Sequence, residues 1–289
     1  MWTIAEILNK TAEYLGRKDI ESPRLNAEVI LGHILGLERI DLYLNYDRPL
    51  RAREMSAFRA LVRRRLAGYP LQYLTGEREF FSLNFQVSPA VLIPRPETEI
   101  LVQAVLEGLK SLGPPWKLLD LGTGSGVIAI SLAVHLPEAH LRATDRSAEA
   151  LALARRNAQR HGVAERISFL QGDLFEPLRG EEGTFMAVVS NPPYVSSGQI
   201  EDLPREIRLH EPLLALDGGP DGLKVIRRLV AKAAQFLVTD GILALEVGSG
   251  QAPAVKKLLA ATGAFDLSRA IEDYAGIKRV VMAKRTWRS

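Results

Sequence analysis

From Lys117 onward the apolar pattern switches repeatedly between two periods. The short apolar runs "KLLDLG", "HLRATD", "ISFLQ", "FMAVVSN" and "GILALEV" are separated by stretches with helical spacing that begin near Gly126, Ala148 and Gly222. A final pair of runs lies near "FDLSRAIE" and "RVVMAKR". Strands too apolar to expose either face, each followed by a helix, predict an α/β fold with a mostly parallel, doubly wound sheet. In such sheets a ligand sits at the carboxyl ends of the strands, where the strand order reverses. Chemistry is therefore to be sought where the apolar runs stop.

The first 75 residues read differently. Apolar residues at Ile4, Ile7, Leu8, Ala12 and Leu15, and again at Leu25, Val29, Ile30, Ile34 and Leu35, follow helical spacing. Thr3 with Glu6 predicts a capping box, and Ser22 before Pro23 predicts a capped helix start. A third helix is expected from about Arg51 to Leu66, with the run Arg63 to Arg65 on a solvated face. Between these helices and the alternating region, "EREFFSLNFQVSPAVLIP" alternates with period two and predicts a β-hairpin bridge. The expected organisation is a helical domain over 1–75, a hairpin linker over 76–96 and the α/β domain over 97–289.

Composition narrows the chemistry. There are no cysteines, which removes disulfides, thiol catalysis and cysteine-based zinc sites, and the five histidines are scattered without metal-ligand spacing, so no metal is expected. Neither an apolar run of about 18 residues nor a signal peptide is present, and a cytoplasmic location without membrane contact is expected. The formal charge is +3, and the first 75 residues, with 12 basic and 9 acidic side chains, supply all of it. Residues 76–289 balance 25 basic against 25 acidic residues, which argues against stable nucleic-acid binding.

Four run ends carry candidate chemistry. In "LDLGTGSG", Asp120 is followed by Gly122, Thr123, Gly124, Ser125 and Gly126 before a helix, a turn that lets a ligand approach backbone closely. An acid ahead of the glycines disfavours an anion there and suits a cationic or zwitterionic ligand, the character of S-adenosylmethionine. Asp145, about 20 residues on, can accept from both hydroxyls of a ribose. Asp173 and Leu174 in "QGDLF" suit an adenine, the carboxylate accepting from the amino group and the backbone amide meeting a ring nitrogen, although an aspartate there also serves as a cap.

The fourth end is "SNPPYV", Ser190 to Val195. An amide or aromatic amine nitrogen is a poor nucleophile because its lone pair is delocalised. The Asn191 side-chain oxygen and the Pro192 carbonyl can accept its two hydrogens and stabilise the positive charge that builds as it is methylated. Pro193 rigidifies the turn, and Tyr194 offers a flat wall for a planar substrate group.

With these motifs the chain resembles the class I, Rossmann-like S-adenosylmethionine-dependent amino-methyltransferases. More narrowly, "LIPRPETE", "DLGTGSG", "NPPYV", "LHEPLLALDGGPDGL" and "DYAGIKRVV" are similar to the peptide chain release factor glutamine N5-methyltransferases. The resemblance implies a seven-stranded sheet and methyl transfer to the glutamine of a Gly-Gly-Gln loop in class 1 release factors, whose docking would fall to the helical domain. It implies that Gly122 to Gly126, Asp145 and Leu174 contact the cofactor, that Asn191 touches cofactor and substrate, and that Pro192 to Tyr194 hold the glutamine. It further implies that Arg95 and Glu97 close the cofactor pocket, with a helix-start role as the alternative for Glu97, and that Glu211 and Pro212 fix a loop over the glutamine, with a buried ion pair as the alternative for Glu211. A monomer is expected. A ribosomal-protein glutamine, a nucleic-acid adenine and a non-catalytic cofactor-binding role remain as alternatives.

Overall fold

A computed structural model describes residues 2–266 and 268–286; Leu267, in the first of the two final runs, lies outside them. The chain begins with helices α1 (Ile4–Gly16), α2 (Pro23–Leu35), α3 (Arg39–Leu44), α4 (Ala52–Leu66) and α5 (Leu71–Thr75). Strands β1 (Glu77–Phe80) and β2 (Leu83–Gln86) pair as a hairpin. There follow α6 (Pro96–Leu109), β3 (Lys117–Leu121), α7 (Val127–His135), β4 (His140–Asp145), α8 (Ala148–Arg160), β5 (Ile167–Gln171) and β6 (Phe185–Ser190). The remainder is α9 (Arg205–His210), α10 (Lys224–Phe236), β7 (Leu237–Glu246), α11 (Ala252–Thr262), β8 (Arg269–Glu272) and β9 (Lys278–Lys284).

Packing divides the chain into two compact units, 1–77 with 204–210, and 78–203 with 211–289. The first is helical around Ile4, Leu8, Leu15, Ile30, Leu31, Leu42 and Phe58. Thr3 and Glu6 form the expected reciprocal cap of α1, whereas Ser22 precedes α2 in a left-handed conformation and makes no side-chain cap. Proline at the first turn of α2 has no N–H to be satisfied, which lessens the need for one. The Arg63 to Arg65 run departs from a purely solvated face. Arg65 donates to Asn26 Oδ1, the Tyr69 carbonyl and Glu206 Oε2 at 2.7, 3.0 and 2.7 Å, and so ties α9 into this unit. Tyr69 stacks on His210 with centroids 4.1 Å apart, and Arg64 lies over the same tyrosine ring.

The second unit is built on a seven-stranded sheet in the order β5-β4-β3-β6-β7-β9-β8. The strands from β5 to β7 are parallel; β9 runs antiparallel to β7 and β8 antiparallel to β9. From β3 the chain steps outward one way through β4 and β5, and from β6 the other way through β7, so the order reverses between β3 and β6. Two apolar clusters cover the faces, one including Leu118, Leu141, Val105 and Ile130, the other Leu119, Val188, Ile226 and Leu243. In β3 alternate residues go to opposite clusters, as the period of two requires. The hairpin joins the first cluster through Phe80 and Phe85, and its turn residues Phe81 and Ser82 both have positive φ, the two-residue geometry that matches strand twist. The Phe81 amide is held by Glu99 Oε1 at 2.9 Å.

Asp120, fully buried near the end of β3, holds the following turn: Oδ2 accepts from Thr123 Oγ1 at 2.6 Å and from the Ala129 amide at 3.2 Å. Burial pushes its carboxyl up to about 7, with Asp145 pushing the same way and the two hydrogen bonds pulling back. Between about pH 4 and 7 the unfolded chain has lost this proton while the fold retains it, so the group's contribution to stability is full in acid, declines as pH rises to 7 and is constant above. Asp120→Asn cannot ionise and can turn its amide oxygen to the same two donors. Its stability relative to the parent is expected to climb by up to about 1.4 kcal/mol per pH unit over that range. Chemical denaturation at pH 5 and 7.5 reads this, and parallel profiles for the two proteins would mean that Asp120 is ionised in the fold. Leu119→Ala, at a site of 0% exposure, is expected to lower unfolding free energy by about 2–5 kcal/mol in the same assay.

Candidate active site

Register sets the site. In the β3–β6 pair Leu121 stands opposite Ser190, and Ser190 Oγ donates to the Leu121 carbonyl at 2.7 Å. The glycine turn beginning at Gly122 and the corner beginning at Asn191 therefore leave the sheet from adjacent positions at the point of strand reversal. A cavity of about 650 Å³ opens there, entirely within the second unit. That is an ordinary size for a small-molecule site.

One wall is the turn 122–126. The amides of Gly122 and Thr123 both donate to the Thr144 carbonyl, at 2.8 and 3.0 Å, and Gly126 N–H donates to the Thr123 carbonyl at 2.8 Å. Gly122 and Gly124 have φ of +73° and +57°, and a Cβ on either would meet no atom within 4 Å. Both lie along the cavity, so side chains there would intrude on its space. Asp145 braces the turn: Oδ2 accepts from the Gly124 amide and Oδ1 from the Ser147 amide, each at 2.9 Å. A carboxylate offers about four acceptor positions, so two remain for a ligand.

A second wall comes from the end of β5. Leu174 has φ +54°, uncommon for a residue with a side chain, and its carbonyl accepts from Thr144 Oγ1 at 3.0 Å. Asp173 also faces the cavity, with Oδ2 taking a 2.8 Å bond from Arg228 Nη2. Arg228 and Lys224, both from α10, join this wall.

The third wall carries the asparagine. Asn191 and Pro193 line the cavity, while Pro192 is buried behind them. Asn191 Nδ2 donates to Thr98 Oγ1 at 3.1 Å, and Thr98 Oγ1 donates to Glu246 Oε2 at 2.6 Å. The turn is clamped from outside: Gln251 Nε2 donates to the Tyr194 carbonyl at 2.9 Å, and Gly222 lies so near that carbonyl that a Cβ would approach it to 2.2 Å. Only glycine fits at 222.

Tyr194 is not among the residues lining the cavity. Its ring packs among the second apolar cluster, off the cavity, and Oη donates to Glu246 Oε1 at 3.3 Å. The half-buried ring covers part of that cluster, and the hydroxyl finds a buried acceptor. Burial and the neighbouring Glu246 raise the Tyr194 hydroxyl pKa. Burial also pushes the Glu246 carboxyl up to about 7, with the two hydroxyl hydrogen bonds holding it down.

Of the residues singled out from sequence, Gly122, Thr123, Gly124, Ser125, Asp145, Asp173, Leu174, Asn191 and Pro193 share the cavity wall. Asp120, Gly126, Pro192 and Tyr194 stand behind it. Arg95 and Pro212 are on the wall; Glu97 is not. Glu211 is buried in an ion pair, Oε1 accepting from Arg95 Nη2 at 2.5 Å and Oε2 from the Ile93 amide at 3.1 Å. Thr98 and Glu246 went unremarked in the sequence. Glu246 could have been found, because "LALEVG" is one more apolar run ending in an acid. Among the described residues no group of His, Asp and Glu could hold a metal, and no helix is long and apolar enough to cross a membrane.

Two family models match the chain: the PrmC N-terminal domain over residues 6–76 and the methyltransferase small domain over 97–207. A release factor glutamine methyltransferase of Moorella thermoacetica is 47% identical over 283 residues, covering 98% of this chain and 99% of its own. The corresponding enzyme of Geobacter sulfurreducens is 44% identical, covering 97% and 96%. A solved methyltransferase from Pyrococcus furiosus shares the fold at a TM-score of 0.51 with 20% identity, covering 72% of this chain and 91% of its own. The chain belongs to the release factor glutamine methyltransferase family.

Proposed function

We propose that this protein transfers a methyl group from S-adenosylmethionine to the side-chain amide nitrogen of a glutamine, that of the Gly-Gly-Gln loop in class 1 release factors. The observation that carries the reading is the adjacency of Gly122 and Asn191 across the β3–β6 register, on one cavity. A nucleoside pocket and an amide-binding corner share a boundary.

The residues present fit the cofactor. The left-handed glycines face open space, Asp145 keeps acceptor positions for ribose hydroxyls, and Asp173 and Leu174 border the place for an adenine. Asp120, behind the turn, has a buried Oδ1 without a hydrogen-bond partner among the described residues, and a phosphate at the turn would raise the cost of ionising it further. When bound, S-adenosylmethionine supplies an activated methyl carbon. Asn191 Oδ1 accepts one amide hydrogen of the glutamine, and the other is assigned to the carbonyl of Pro192, between the cavity-lining Asn191 and Pro193. Held there, the nitrogen turns its lone pair away from the protein, and the two oxygens favour the positive charge that develops on it. No base is needed beforehand, since the methylated nitrogen is acidic and releases its proton to water.

Docking of the release factor is assigned to the helical segment 1–75, which carries the net positive charge. The balanced charge of 76–289 gives no support to a nucleic-acid substrate.

Incubation with labelled cofactor and a class 1 release factor, followed by mass mapping, is expected to find the methyl on the Gly-Gly-Gln glutamine. Label on nucleic acid, or on a ribosomal-protein glutamine alone, would overturn the substrate. Asn191→Ala is expected to reduce kcat by about 10²- to 10³-fold while cofactor affinity changes by only a few-fold in calorimetry; normal turnover by this variant would remove Asn191 from the mechanism. Asp145→Ala is expected to do the opposite, weakening cofactor binding by roughly tenfold or more through two lost charge-assisted hydrogen bonds.

A further inference from the structure

Glu246 is a buried acid that the transfer chemistry above does not use. It ends β7, and since Ser190 pairs with Leu245, it stands level with Asn191 on the neighbouring strand. Its exposure is 1%, and that of Thr98, in the first turn of α6, is 2%. A carboxylate so placed needs donors, and it has two hydroxyls: Thr98 at 2.6 Å and Tyr194 at 3.3 Å.

A threonine hydroxyl owns one hydrogen. When Thr98 gives it to Glu246, Oγ1 has only lone pairs left for Asn191, so the atom facing it must be Nδ2. Were the amide turned over, Asn191 Oδ1 and Thr98 Oγ1 would confront each other as two acceptors in a buried site. That arrangement costs an unmet hydrogen bond as well as repulsion. The side-chain amide of asparagine is nearly symmetric in shape, so packing alone does not choose between its two orientations. Here the choice decides function, because an NH2 group facing the cavity would repel the N–H bonds of an incoming amide, whereas an oxygen accepts them.

We propose that Glu246 is a positioning residue for methyl transfer: by taking the hydroxyl hydrogens of Thr98 and Tyr194, it compels Thr98 to accept from Asn191 Nδ2 and so keeps Asn191 Oδ1 turned to the substrate. Tyr194 is thereby the anchor of the corner's far end, its carbonyl held by Gln251 and its hydroxyl by Glu246. The inference rests on the amide-methylation reading.

Thr98→Val keeps the shape and deletes the hydroxyl; Thr98→Ser keeps the hydroxyl. With the full chain at pH 8, Thr98→Val is expected to lower kcat by about ten- to a hundredfold, as a small misplacement of a reacting group does. KM for the cofactor should stay close to the parent's, the melting temperature should fall only as far as the loss of one buried hydrogen bond to Glu246 requires, and Thr98→Ser should recover both kcat, to within a few-fold, and the melting temperature. A second readout needs no turnover. The Asn191 side-chain NH2, identified in NMR spectra by its absence from Asn191→Ala, is expected to be protected from hydrogen exchange in the parent and in Thr98→Ser, and exposed in Thr98→Val and Glu246→Ala. Equal kcat in Thr98→Val and the parent, equal losses in the valine and serine variants, or unprotected Asn191 in the parent would each overturn the positioning role. A parent that methylates no glutamine but shows the protection pattern would instead refute the assigned reaction and leave the hydrogen-bond relay standing.

Discussion

The site depends on one alignment, Leu121 opposite Ser190, secured by the Ser190 hydroxyl on the Leu121 carbonyl. Side chains alternate along a strand, so a slip of one residue would turn every side chain of β6 to the other face, exchange Phe185 and Val188 with Ala187 and Val189 between clusters of different shape, and break the Ser190 bond. Side-chain shape in the two clusters and the Ser190 bond thus fix the register, and the register fixes where the two turns emerge. Because the strand order reverses at this pair, no crossover helix covers the gap between their ends, and the turn at Gly122 and the corner at Asn191 share the opening.

Carboxylates near the ends of four strands and in the returning loop form the frame around that opening. Asp120 holds the glycine turn from behind, Asp145 braces it from the side, Asp173 pairs with Arg228 and Glu246 gathers the hydroxyls of Thr98 and Tyr194. Glu211 does similar work for the segment at Ile93 and Arg95. Each accepts hydrogen bonds from groups that would otherwise wander, and two of them, Asp120 and Glu246, are buried deeply enough that ionisation itself is costly. On the cavity wall these acids are balanced by Arg95, Arg146, Lys224 and Arg228, and Asp145 keeps free acceptor positions. A mixed lining of this kind suits a zwitterionic cofactor and an uncharged amide.

Much of this was legible in the residues. The alternation of periods from Lys117 specified the sheet and its helices, since strand and crossover leave distinct signatures, and the glycines, Asp145, Leu174 and Asn191 announced themselves by standing where apolar runs end. Short helices did not announce themselves. Arg39–Leu44 and Leu71–Thr75 are too brief to show periodicity and form because neighbouring helices bury Leu42 and Leu74. Arg65 read as a solvated charge because its acceptors, Asn26 and Glu206, are distant in sequence. The bond from the Tyr194 hydroxyl to Glu246 was not legible either, because the sequence says nothing of which way a ring turns.

The sequence by itself determined the class of fold, the strand ends that carry chemistry and the family, because these follow from local periodicity and from short motifs whose residues act together. Tertiary structure decided orientation: that the Tyr194 hydroxyl reaches Glu246, that Asp120 lies behind the turn rather than on the cavity wall, and that Thr98 and Glu246, 148 residues apart, meet beside Asn191. The physical reason is that a hydrogen bond between side chains needs a few tenths of an ångström and a particular direction. Only the packed sheet and the helix laid against it supply that precision.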